Sequence, residues 1–62
     1  MCEANAYLID NEKQVLVMKA VDVIEPENDG LKLVDIFGNQ KFISAVIHAL
    51  SLVDHKVFLK KI

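Results

Sequence analysis

Apolar and polar residues alternate with a period of two at the start of the chain. Cys2, Ala4, Ala6 and Leu8 fall on one side, with Glu3, Asn5 and Tyr7 on the other, the pattern of a strand with one buried face. Asp10-Asn11-Glu12-Lys13 is a polar turn. Val15-Leu16-Val17-Met18 is a short apolar run that predicts a second strand, and Val21-Asp22-Val23 opens a third. That third strand is expected to stop at Pro26, because proline has no N–H to give to a ladder. Glu27-Asn28-Asp29-Gly30 is a strong turn signal, with Asp29-Gly30 suited to positive φ. Leu31, Leu33 and Asp35 then alternate with Lys32, Val34 and Ile36 in a fourth strand. After the turn Phe37-Gly38-Asn39-Gln40, Lys41-Phe42-Ile43 resumes the sheet. Asp54-His55-Lys56 separates Leu50-Ser51-Leu52-Val53 from Val57-Phe58-Leu59, a closing hairpin.

The stretch 42–53 fits two structures. Ile43, Val46, Ile47, Leu50 and Val53 also satisfy helical spacing, which would give a helix of about three turns. Turn signals recur about every ten residues elsewhere and favour strands throughout. The expected fold is therefore all-β. It is a single domain over residues 1–62, with five to six short antiparallel strands coiled into a small barrel.

Length adds a constraint. A chain of 62 residues buries only about 60% of the surface its unfolded form exposes, so its core is marginal. Domains of this size are usually reinforced by disulfides, a metal or a partner subunit. Cys2 is the only cysteine, so no internal disulfide can form. The apolar fraction of 53% exceeds what so small an interior can hide, which predicts a homodimer through an apolar patch that includes Val46, Ile47 and Leu50. No run approaches the roughly 20 apolar residues of a membrane-spanning helix. The first residues carry neither a basic segment nor a long apolar one, so a reducing, cytoplasmic location is expected.

The formal charge is −2, and all seven cations are lysines. Without arginine the chain lacks the planar fork that recognises phosphates and bases, which argues against nucleic acid as a partner. No phosphate-binding glycine loop or nucleophile–base spacing is present. Glu25, Glu27 and Asp29 crowd one loop but lack the alternating ligand pattern of a calcium loop, and read as a solvated turn. Binding rather than catalysis is expected.

Cys2 carries the candidate chemistry. A lone cysteine usually acts as a small hydrophobe, but this one lies beside the chain's first amine. If Met1 is removed, the Cys2 amine and thiolate and the backbone nitrogen of Glu3 converge on one point. If Met1 stays, its amine joins the amide nitrogen and thiolate of Cys2 instead. Planar nitrogen and thiolate donors suit Ni(II) or Cu(II). One terminus offers two or three donors, and two termini in a dimer would complete four-coordination. His48 and His55 lie seven residues apart with no zinc-type spacing, so they are reserve candidates only. His48 reads as a packed or hydrogen-bonded residue between strands, and His55 as a solvated turn residue.

Met1-Cys2 at the start, Ala4 and Tyr7-Leu8 in the first strand, Gly30-Leu31 leading to Ile36-Phe37-Gly38, and the closing Lys56-Val57-Phe58-Leu59 together resemble the CooT family over nearly the whole chain. These are small nickel-binding accessory proteins of carbon monoxide dehydrogenase maturation. The resemblance implies an SH3-like barrel, a homodimer, and Ni(II) held through the N-terminal cysteine, here Cys2, with carbon monoxide dehydrogenase as the client. The family has also carried a predicted RNA-binding label. A metal-free barrel that binds RNA or another protein through a sheet face is therefore the competing expectation.

Overall fold

The computed structural model describes residues 3–62, and Met1 and Cys2 lie outside them. Six strands form one sheet, with no helix among the described residues: β1 (Ala4–Asp10), β2 (Lys13–Glu27), β3 (Gly30–Asp35), β4 (Gln40–Ile43), β5 (Ala45–Ser51) and β6 (Lys56–Lys61). Their spatial order is β4-β3-β2-β1-β6-β5. The first four make an antiparallel meander and the last two a hairpin. A parallel pairing of β1 with β6 joins the halves, Asn5 opposite Lys56 through Ile9 opposite Lys60. The expected all-β, six-stranded architecture is therefore present, but its sheet is mixed. Strand direction was not legible because the β1–β6 partnership spans about fifty residues, with no local turn to announce it.

The sheet curls into a half-barrel. Its two edge strands, β4 and β5, are consecutive in the chain and separated only by Ser44. Leu31, Leu33, Ala6, Val21, Ala45, Val57 and Leu59 form the buried core, with Leu33 and Leu59 wholly enclosed. Each of those two leucines gains about 2 kcal/mol from leaving water. Cross-strand partners share a face, so Val15, Leu8, Leu59 and Ile47 form one inward row across β2, β1, β6 and β5. Met18, Ala6, Val57 and Leu50 form the next. Both rows lose cover at β5, where Ile47 is 48% and Leu50 58% exposed. The half-barrel is open along that strand.

Two local expectations change. The two strands read from Val15–Met18 and Val21–Val23 are one strand of 15 residues, β2. It bends at Ala20, whose φ is 53°. The bend is stabilised from both sides: the Ala20 N–H donates to Asn5 Oδ1 at 3.1 Å, and its carbonyl accepts from the Ile36 N–H at 2.9 Å. Before the bend β2 pairs with β1, Val21 just after it pairs with both β1 and β3, and from Val23 onward only β3 is its partner. Pro26 therefore stays in the strand, opposite Leu31, where only one side of β2 has a neighbour.

The stretch 42–53 contains no helix; it supplies the end of β4, all of β5 and the following turn. A bulge explains its helix-like spacing. Ile47 pairs with Leu59 and Ala49 with Phe58, leaving His48 as the extra residue. The bulge brings Ile47 and Leu50 to the same face although they are three residues apart, which mimics a helical stripe.

The turn expected over residues 27–30 is present, with Asn28-Asp29 between the paired Glu27 and Gly30. Gly30 itself is extended and buried at the start of β3. The chain crosses it at Ile43-Ser44, where β4 passes into β5. A Cβ on Gly30 would press into the Ile43 carbonyl oxygen and lie 2.9 Å from Ser44 Cα. Only glycine lets the β4–β5 junction pass this close to the start of β3. Gly30→Ala should lower unfolding stability by about 1–3 kcal/mol, read as a drop in the urea midpoint. An unchanged midpoint would show that the corner has slack.

The turn between β3 and β4 is built on one carboxylate. Asp35 Oδ1 accepts from the Phe37 and Asn39 N–H groups, both at 2.9 Å, and Oδ2 accepts from Asn39 Nδ2 at 3.0 Å. Gly38 supplies the positive φ, 88°. The Asn39 side chain, followed by backbone donors, holds the Asp35 carboxyl below its ordinary value of 3.8, against a smaller opposing effect of desolvation. A lowered folded-state value stabilises the fold above the ordinary carboxylate range, and that stability is lost as pH falls through the lowered value. Asp35→Asn should therefore lower the neutral-pH melting midpoint and flatten its fall below 3.8. Thermal melts of both chains from neutral pH to about pH 2 would check this, and parallel curves would refute it.

Candidate metal-binding end

The parallel β1–β6 pairing places the start of β1 beside the β5–β6 turn. The Asn5 N–H donates to the His55 carbonyl at 2.9 Å, while the Asn5 side chain holds the β2 bend. One residue thus ties the chain's beginning to two other elements. Outward from that tie, Glu3 is exposed and Ala4 half-buried. Both line a groove of about 270 Å³ with Leu50, Leu52, His55 and Val57 among its walls. Cys2, the residue singled out for metal binding, lies outside the described residues but is covalently next to Glu3.

The turn on the other side of the groove is apolar where a turn is ordinarily polar. Leu52 is 81% and Val53 90% exposed. Ser51 Oγ donates to Asp54 Oδ2 at 3.2 Å across the turn, and His55 closes it with φ 56°. On the outer face, Tyr7 and Phe58 are cross-strand partners with ring centroids 6.1 Å apart, and Lys56 Nζ lies 5.6 Å from the Tyr7 centroid.

Neither histidine joins a ligand cluster. His48 is the bulged residue of β5 and is exposed, so the expectation that it packs or hydrogen-bonds between strands is not met. His55 is exposed in its turn, as expected. Among the described residues no three histidine, cysteine or carboxylate side chains gather as a metal site would require. Glu25, Glu27 and Asp29 are all exposed. Glu25 pairs with Lys32 at 3.0 Å, and this hydrogen bond and charge raise the Lys32 pKa. Sequence reasoning missed the groove itself. Its only signal was the apolar Leu52-Val53 pair ahead of Asp54.

These elements form a small half-barrel with an open groove at one end rather than an enclosed pocket. Residues 1–60 match the family model of the CO dehydrogenase accessory protein CooT, and the chain belongs to that family. It is similar to a crystal structure assigned as CooT of Carboxydothermus hydrogenoformans, with 41% identity, 98% of each chain covered and a TM-score of 0.93. No curated protein matches the sequence. No helix among the described residues is long and apolar enough to cross a membrane.

Proposed function

We propose that this chain is a nickel carrier for carbon monoxide dehydrogenase maturation, a non-enzymatic cytoplasmic homodimer that holds Ni(II) as cargo between two N-termini. The observation that carries the proposal is the placement of Glu3. The residue after the sole thiol is exposed beside an uncovered apolar groove, where a second chain can approach. Membership of the CooT family supplies the link to the enzyme, and the family resemblance supplies the metal.

The surface supports two copies. The chain exposes 4515 Å², whereas a compact monomer of 7.0 kDa exposes about 4,000 Å². Ile47, Leu50, Leu52 and Val53 are among the apolar side chains this chain exposes. Each copy of Cys2 offers a thiolate and an adjacent backbone nitrogen or amine, and a symmetric pair supplies two of each to one metal. Glu3 and His55 are close enough to the groove to shape entry and release without being needed as ligands. Thiolate and amide ligands must lose their protons to bind, so affinity should fall on acidification.

The competing reading, a metal-free interaction module, draws on the outer-face cluster of Lys56, Tyr7 and Phe58. Aromatic rings beside a cation can stack nucleic-acid bases. The lack of arginine leaves that face poorly equipped for phosphates.

Cys2→Ser removes the only soft side-chain ligand. It should eliminate the charge-transfer absorption of a nickel–thiolate bond and weaken Ni(II) binding at least roughly 100-fold, with the circular dichroism spectrum unchanged. His48→Ala and His55→Ala should retain the wild-type absorption. Equilibrium dialysis with Ni(II) separates the readings. A serine variant that binds as tightly as the wild type would overturn the Cys2 assignment, and a wild-type chain that retains no nickel would favour the interaction module.

A further inference from the structure

We infer that the outer face of β1 and β6 is a docking surface for a partner protein, held through an acidic segment with an apolar centre. Strand register defines the face. Tyr7 lies between Leu16 of β2 and Phe58 of β6, and Ile9 lies beside Lys60 in the next row. Cross-strand partners share a face, so these side chains stand on the side of the sheet opposite the buried Ala6, Val57 and Leu59. The Tyr7 and Phe58 rings are 6.1 Å apart, and Leu16 is 42% exposed. An apolar strip thus crosses three strands on the side that the core does not use.

Charge identifies what fits it. Lys56 and Lys60 stand on either side of Phe58 along β6, each about 7 Å from it. The chain has nine carboxylates against seven lysines, yet none of the outward positions of β1 or β6 is acidic. The acids lie instead at Glu3, at the β1–β2 turn, along the second half of β2 and its turn, and at Asp35 and Asp54. Among the described residues the one ion pair is Glu25 with Lys32, on the other half of the sheet. Both ammoniums on this face are therefore available to an outside acid. Lys56 Nζ is also held in place, 5.6 Å from the Tyr7 ring centre. A side chain already positioned loses less freedom when a partner binds it.

These features favour a protein over a nucleic acid. Lysine meets a carboxylate as a point charge, whereas bidentate recognition of phosphate belongs to arginine, which the chain lacks. The net charge of −2 opposes the approach of a uniformly charged polyanion. An acidic segment broken by apolar side chains satisfies both parts of the face, its carboxylates on the lysines and its apolar residues on the strip. The face runs to Asn5 at the start of β1, three residues after Cys2. Its use in nickel delivery rests on the carrier reading, but the surface itself does not.

The test titrates metal-free, isotope-labelled full-length protein with a short end-blocked peptide whose leucine–phenylalanine centre is flanked by glutamates. The peptide should bind saturably and shift the amide signals of Tyr7, Leu16, Phe58 and Lys60 most. Lys60→Glu should weaken it about 10-fold or more. Lys61→Glu makes the same charge change on the neighbouring residue, which faces the other way opposite Ala45, and should cost less than about threefold. Leu16→Lys should weaken binding although it adds a cation, an effect that charge attraction alone would reverse. Circular dichroism should be unchanged in all three. A peptide that shifts no signal on this face would overturn the inference, as would equal losses in Lys60→Glu and Lys61→Glu. Tighter binding of a single-stranded oligothymidylate than of the peptide would also overturn it, and would assign the face to nucleic acid. Because no metal is present, a failure of docking and a failure of nickel binding are read separately, and either can occur while the other reading stands.

Discussion

The parallel pairing of β1 with β6 is the constraint on which the rest of the structure depends. Without it the chain is a four-stranded meander and a separate hairpin, each with an uncovered apolar face. With it, Ala6 and Leu8 pack between elements from both halves, and Val57 and Leu59 complete the core. The same pairing puts the chain's start in the middle of the sheet, beside the β5–β6 turn. The Asn5 bond to the His55 carbonyl fixes that neighbourhood. Fold and binding end follow from one long-range contact, and long-range β pairing is the slow step expected in folding such a sheet.

What the sequence made legible was local. Alternation placed Leu31 and Leu33 correctly in the core, and the turns around Asn11 and Gly38 fell where polar and glycine signals put them. Misreadings came where two chain segments meet far from each other in sequence. Gly30 closes the turn that Asp29 announces, but the close passage of Ile43-Ser44, which also requires a glycine there, left no local signal. Lys19-Ala20 looked like a break between strands. It is a bend made tolerable by Asn5, fifteen residues away. The bulge at His48 turned an alternating strand into a spacing of three, which periodicity alone cannot tell from a helix.

The candidate end was legible in part. The surplus of apolar residues signalled exposed apolar side chains, found at Leu52 and Val53, while Cys2 lies outside the described residues. The groove could not be named, since its walls come from β1, β5, the following turn and β6, and only the β1–β6 register assembles them. An accessory protein gains from this openness. On the function proposed above, a metal carried outside the core could be passed on by ligand exchange, whereas one enclosed in the core would require the sheet to unfold.

Native mass spectrometry of the wild-type chain titrated with Ni(II) addresses the central claim most directly, because it counts chains and metals in the same particle. The account predicts saturation at one nickel per two chains, with no nickel on single chains and none after alkylation of Cys2. Saturation at one nickel per chain, or nickel that survives alkylation, would contradict it.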